Sequence, residues 1–392
     1  LLEVTVQDLV TALRPLLKDE RVTVRFHAAK AIARLEPKQA TDAIPAIIEG
    51  VERKMMGSDE AYLIDKVASE AMPLLIQALA HEKNVVQYEF ASIINRWPKL
   101  AMPHLLSGLA SDQARIRAGS ACAIGSFRFQ KLFGPSQKEM REEAFKGLGL
   151  ALEDSEAEVR LRSAESLLSL DYPKVEELLQ VFIACLDDDS PDRRERAAEA
   201  LGRIGAPAAP AIPALLRALR DGTFQVRIQA AIALPRIDAG QASLHANLWG
   251  PVFKETFLAD ESRFFFLQCS ALQAVQKLGP SAVQLAPAMT ARLSQSPNRE
   301  NYVLQIELVK ALVKVAPENA KIGVEKLVDL LPERETIHSY QRIQAIEALV
   351  QLGSAAKSTL PSLLEIMNDD DPKIAVQAAI SSIRIDPMRS NR

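Results

Sequence analysis

The sequence predicts an all-α protein, a right-handed α-solenoid of about ten to eleven stacked helix pairs running as one continuous array through residues 1–392. Three observations carry that expectation. A proline set in an apolar run returns along the chain, as AIPAII (43–48), AMPLLI (71–76), AMPHLL (101–106), AIPALL (211–216), LAPAMT (285–290) and TLPSLL (359–364). Each copy opens an apolar helical pattern that meets a polar corner and then a second helical stretch rich in alanine. Finally, apolar residues make up 48% of the chain while aromatics reach only 5%, so the core must be built from Ala, Leu, Ile and Val. Small aliphatic cores suit closely packed helices better than sheets.

The second helices align with one another. They read VRFHAAKAIARL (24–35), VVQYEFASIINRW (85–97), IRAGSACAIGSF (116–127), VRLRSAESLLSL (159–170), RRERAAEALGRI (193–204) and VRIQAAIALPRI (226–237). LQIELVKALVKV (304–315), QRIQAIEALVQL (341–352) and IAVQAAISSIRI (374–385) follow, and these three are looser copies, as are those at 85–97 and 116–127. Equivalent residues in neighbouring copies stand 30 to 43 apart, most often 33 or 34. A period of that size marks a stack of supersecondary units, because one helix pair cannot bury both its apolar faces and must lean on its neighbours. The recurring proline fits the first turn of a helix, where its missing N–H costs nothing. The alanines let paired helices approach closely.

Corners between the two helices have their own grammar. In CLDDDSPDRRERAAEALGRIG (185–205), Asp187, Asp188 and Asp189 close one helix, Ser190 is placed as an N-cap and Pro191 as the first helical residue. The acids then sit where the next helix begins and its N-terminus is electropositive. Asp371 before Pro372 repeats the arrangement, and Ser155 with Glu158 reads as a capping box. Asp19 and Arg25, Asp154 and Arg160, Asp188 and Arg194, and Asp221 and Arg227 all stand six apart. Recurrence in four units points to a structural ladder rather than to chelation, which needs one special cluster. If its pair is buried, Arg194→Ala should cost ~1–3 kcal/mol. Gln87, Gln268, Gln305 and Ala375 replace the ladder arginine elsewhere, so the repeat loosens toward the C-terminal half.

The phrase PALLRALRDGTFQVRIQAAIALPRI (213–237) resembles a HEAT repeat, of the short bacterial type also found in phycocyanobilin lyases. The resemblance covers essentially the whole chain. It implies an Asp–Arg ladder joining adjacent repeats and a non-enzymatic scaffold that binds a partner protein or peptide along its concave face. A second implied reading is a bilin lyase-like or other enzyme-assisting factor, and a third is a HEAT-like alkylpurine DNA glycosylase. A HEAT-like deoxyhypusine hydroxylase would need several His-Glu pairs for iron, and only His81-Glu82 occurs.

Composition narrows the classes. Lys and Arg total 47 against 50 Asp and Glu, a net charge of −3, which argues against nucleic acid as the partner. Cys122, Cys185 and Cys269 stand far apart with no Cys-x-x-Cys, so neither a zinc ribbon nor a disulfide framework is expected. The histidines His27, His81, His104, His245 and His338 form no i, i+4 pair, and no phosphate-cradling glycine loop occurs. No metal, cofactor or catalytic residue is expected, nor a transmembrane helix, since no apolar run approaches the ~18 residues one needs. The chain opens on Leu1-Leu2 without a visible signal peptide, which reads as a trimmed or processed product and leaves the compartment open.

Candidate binding residues come from breaks in the pattern and from one column. Irregular or inserted corners fall near 51–65, 125–140 and 238–253. The second mixes Phe127, Phe129 and Phe133 with Arg128, Lys131 and Lys138, and the third carries Trp249. Phe129, Phe133 and Trp249 could anchor a partner, or fill gaps where the repeat is irregular. Phe264, Phe265 and Phe266, at a helix start, are assigned to gap filling. Aligning the second helices places Arg34, Arg96, Arg203, Arg236, Lys277, Lys314 and Arg384 at one position near each C-terminus, while Ser126, Ser169 and Gln351 take it in other copies. Complementing the helix dipole explains such a column at ~0.3–1 kcal/mol per helix. A basic stripe for an acidic or phosphorylated partner is the alternative, and the best candidate site the sequence offers.

Overall fold

A computed structural model describes residues 5–53, 55, 68–81, 84–127, 135–258, 265–295, 302–329, 331 and 339–386. All regular structure among them is helical. The chain divides into two compact units, Leu1–Cys185 and Leu186–Arg392.

In the first unit the alanine-rich second helices Val22–Leu35, Asn84–Ile94, Ala114–Gly125 and Ala157–Ser169 follow first helices at Val6–Leu13, Ala68–Ala78, Pro98–Leu109 and Pro135–Leu150. The consecutive second helices from Asn84 to Ser169 pack on one another, and the first helices Ile44–Glu52 to Pro135–Leu150 do the same in a separate row. Two layers of helices thus enclose one strip of core. Small residues set the spacing between them. A Cβ on Gly125 would stand 2.6 Å from Ser166 Cα, so helices Ala114–Gly125 and Ala157–Ser169 meet almost backbone to backbone. The Ser166 hydroxyl donates to the Ala121 carbonyl at 2.8 Å across the same contact.

The second unit repeats the plan. Its second helices Pro191–Ile204, Phe224–Ile237, Phe265–Leu278, Tyr302–Val315, Ser339–Gln351 and Pro372–Ile385 pack in sequence order into one layer. First helices Ile212–Ala218, Ala246–Leu258, Ala286–Gln295, Ala320–Asp329 and Leu360–Ile366 back them. Ala197, Ala198, Ala200, Ala230, Ala231 and Ala233 are buried where the first two second helices face each other. A Cβ on Gly202 would come 3.0 Å from Ala233 Cα at that contact. Gly205 closes the helix at φ +73°, a left-handed conformation that glycine adopts without strain.

Local grammar holds in part. The prolines Pro45, Pro213 and Pro361 sit in the first turn of their helices, but Pro73 and Pro103 fall inside theirs. Asp371 caps its helix by accepting from the Lys373 N–H at 2.9 Å. Ser190 is the N-cap residue before Pro191, yet its side chain makes no capping bond. The capping box at Ser155 and Glu158 does not form. The N-cap is Glu156, and Glu158 accepts instead from Arg162 at 2.8 Å, because the corner aspartate has already folded the turn.

The irregular corners fare differently. Residues 54 and 56–65 of the first, and 128–134 of the second, lie outside the described residues. The segment 238–253 is a short helix, Ala239–Ser243, capped by Asp238, leading into the first helix of the next pair, Ala246–Leu258. Trp249 is fully buried in that helix and donates its indole N–H to the Ala242 carbonyl at 2.7 Å. It packs beside Phe253, with Phe257 stacked beyond.

Candidate docking face on the second helices

The corner ladder is built from arginines that share the backward bonds to two carbonyls, and four of them also reach forward to a carboxylate. Arg194 donates from Nη1 to the backbone carbonyls of Asp188 (2.8 Å) and Asp189 (3.0 Å), six and five residues back. Its Nε and Nη2 reach forward to both carboxylate oxygens of Asp221 in the next repeat, at 2.7 and 3.0 Å. Arg117 does the same with the carbonyls of Ser111 and Asp112 and the carboxylate of Asp154. Arg25 binds the carbonyls of Asp19 and Glu20 and the Glu49 carboxylate, and Arg227 those of Asp221 and Gly222 with Glu255. Arg160 holds the Asp154 and Ser155 carbonyls. Even Gln87 keeps the backward contact, donating to the His81 carbonyl at 2.6 Å. A guanidinium suits this task because its planar fork serves carbonyls and a carboxylate at once.

The six-residue spacing of Asp and Arg therefore does not describe an ion pair. The aspartate's carbonyl takes the arginine six residues on. Its carboxylate takes the backbone N–H two residues on, as Asp188 does from Ser190, Asp154 from Glu156 and Asp221 from Thr223. At Asp154 and Asp221 that carboxylate also receives the arginine of the preceding repeat, which holds each carboxyl below the usual aspartate value. The acids of 187–189 are accounted for as a corner: Asp187 pairs with Arg217 at 3.0 Å and Asp188 with Arg193 at 2.7 Å. No group of three or more His, Cys, Asp or Glu among the described residues is placed to hold a metal ion.

The opposite ends of the same helices carry the second column. In the second unit Arg203, Lys277, Lys314 and Arg384 are exposed, and Arg236 is half-buried, at equivalent places on packed neighbours. Arg203, Arg236, Lys277, Lys314 and Arg384 make no ion pair or side-chain hydrogen bond with another described residue. Burial pushes the Arg236 guanidinium below its ordinary value, and the charge of Glu199 opposes that shift. In the first unit Arg34 and Arg96 are also exposed, and the Arg96 guanidinium lies 5.9 Å from the Trp97 ring.

Between ladder and column, helices Pro191–Ile204, Phe224–Ile237 and Phe265–Leu278 frame a groove of about 380 Å³ lined by Glu195, Glu199, Gln225, Gln229, Phe266 and Ser270 among others. Phe266 is 82% exposed there. The expectation that it fills a gap is wrong, since it stands at the second residue of its helix and projects from the layer. Sequence reading missed the groove because Phe266, Gln225 and Asp192 share a register only when the helices are aligned on the ladder. The aromatic candidates exchange roles accordingly. Trp249 is core and offers a partner no surface, Phe127 is buried, and Phe129 and Phe133 lie outside the described residues.

Residues 136–239 match a family model described as HEAT repeats. No curated protein matches the chain. HEAT repeats are commonly protein-interaction scaffolds, and the described helices pack pair on pair in the manner such repeats do. No described helix is long and apolar enough to cross a membrane.

Proposed function

We propose that this chain is a non-enzymatic scaffold that binds an acidic segment of a partner protein across its second-helix layer. The observation that supports the reading is a contrast within single helices. At one end the ladder arginines Arg194 and Arg227 are engaged by carboxylates and carbonyls. At the other end Arg203, Arg236, Lys277, Lys314 and Arg384 make no ion pair among the described residues. Dipole complementation alone would stabilise each helix by ~0.3–1 kcal/mol, and does not require a cation at the same position on five of six neighbours. Neighbouring helix axes run roughly 8–10 Å apart, so the column presents evenly spaced positive charge to an extended chain. Arg34 and Arg96 occupy the same position on second helices of the first unit.

The test is charge reversal of Arg203, Arg236 and Lys277 to glutamate together, with a labelled oligo-glutamate peptide as the probe. Binding should fall strongly, and binding by the wild type should weaken as salt rises, because exposed charges are screened beyond ~8 Å at physiological ionic strength. The fold should survive. A triple variant that binds the probe normally but melts earlier would show that the column only caps helices.

A further inference from the structure

The groove beside the basic column has the opposite character. Its floor and walls come from three packed second helices, so it is held by the repeat layer and not by a loop. Two of its carboxylates, Glu195 and Glu199, lie one turn apart on helix Pro191–Ile204, and a third, Asp192, stands a turn before them. Asp192 is engaged by Arg196 at 3.2 Å. The charge of Glu199 acts on the half-buried Arg236. Burial, then the charges of Asp192 and Glu199, push the Glu195 carboxyl above its ordinary value, with a hydrogen bond from Gln229 opposing. Neither Glu195 nor Glu199 makes an ion pair with another described residue. Phe266, a ring exposed to 82%, lines the same groove as Glu195 and Glu199. An aromatic face in one groove with carboxylates that lack an ion-pair partner is the pairing that attracts a cation. The remaining lining groups, Gln225, Gln229 and Ser270, supply neutral acceptors.

We propose that this groove takes an arginine side chain from the partner segment, its guanidinium stacked on Phe266 and its N–H donors shared between Glu195, Glu199 and the neighbouring amide and hydroxyl oxygens. Guanidinium fits better than ammonium because it is planar, stacks on rings and carries five donors in a fixed fork. The volume, about 380 Å³, exceeds that of one arginine side chain, so the guanidinium enters without displacing a wall. The inference rests on the reading of this layer as a docking face and specifies the occupant: a segment of mixed charge. Glu199 and Arg203 are one helical turn apart, about 6 Å of rise. The partner's arginine and its acids must therefore be close neighbours.

The experiment uses the full chain and three labelled probes, tetra-arginine, tetra-citrulline and oligo-glutamate, at about 0.15 M salt. Tetra-arginine should bind at least about tenfold tighter than citrulline, which keeps the shape and loses the charge. Phe266→Ala, and Glu195→Gln with Glu199→Gln, should each weaken tetra-arginine by about fivefold or more and leave oligo-glutamate no weaker. Since Phe266 is exposed, its removal should not shift the melting temperature, which separates binding from folding. Equal binding of citrulline, or tetra-arginine binding unchanged in Phe266→Ala, overturns the proposal. Tetra-arginine failing while oligo-glutamate still needs Arg203, Arg236 and Lys277 removes the groove and leaves the column standing. The reverse pattern removes the column and leaves the groove.

Discussion

Replacing Arg194 with alanine removes four hydrogen bonds from one corner, two to the Asp221 carboxylate and two to the Asp188 and Asp189 carbonyls. The paired side chains are only 17% and 12% exposed. Fully exposed pairs contribute about 0.2–1 kcal/mol, whereas removing one partner of a fully buried pair costs about 3–5 kcal/mol. This pair lies nearer the buried limit, but Asp221 keeps the Thr223 N–H at 2.8 Å, which softens its isolation. The expected loss is about 2–4 kcal/mol. Gln87 shows what a shorter, neutral side chain preserves, since it still reaches the carbonyl six residues back. Arg194→Gln should accordingly recover about 1 kcal/mol relative to alanine, and a double-mutant cycle with Asp221→Asn should give a coupling of about 1–3 kcal/mol. Urea unfolding followed by far-UV circular dichroism measures all three, provided the slope is unchanged. A biphasic curve would mean that the corner couples neighbouring repeats, whose cooperativity the substitution has broken. A loss below about 0.5 kcal/mol, or no coupling to Asp221, would refute the claim that this arginine staples two repeats.

Three further outcomes follow from the geometry. Gly125→Ala should destabilise by roughly 1–3 kcal/mol although alanine is the better helix former, because the new methyl would stand 2.6 Å from Ser166 Cα. Gly149→Ala, with only Tyr172 Oη at 3.9 Å, should be neutral or stabilising by up to about 1 kcal/mol. Hydrogen bonds from Arg117 and Arg194 lower the Asp154 and Asp221 carboxyls in the folded chain, so the folded state binds fewer protons than the unfolded one. Their contribution is complete above the ordinary aspartate value of about 3.9 and is lost as pH falls through the lowered folded values. The urea midpoint should drop below about pH 4, and Asp221→Asn should flatten that drop; an unchanged acid slope would contradict the assignment. Burial, with Glu307 adding, pushes the Cys269 thiol up to about 11, so Cys269→Ser should leave the fast phase of a thiol titration at pH 8 unaltered.

What the sequence determined by itself was periodic. Helix pairs, their corners, the alanine-lined contacts and the recurrence of Asp and Arg were all legible, because each depends on residues within one or two turns of each other. The register of the basic column was legible for the same reason. Partners were not. Asp188 and Arg194 recur at a fixed spacing, yet the carboxylate that Arg194 binds is Asp221, 27 residues on, since the corner directs one side of the guanidinium back to carbonyls and the other across to the next repeat. Trp249 and Phe266 show the limit most clearly. One aromatic looked available and is core; the other looked like filler and stands in solvent beside two glutamates. Only packing decides this, because a residue's exposure in a repeat depends on which neighbouring helix covers its register, and a short extra helix such as Ala239–Ser243 shifts that cover without leaving a periodic trace in the chain.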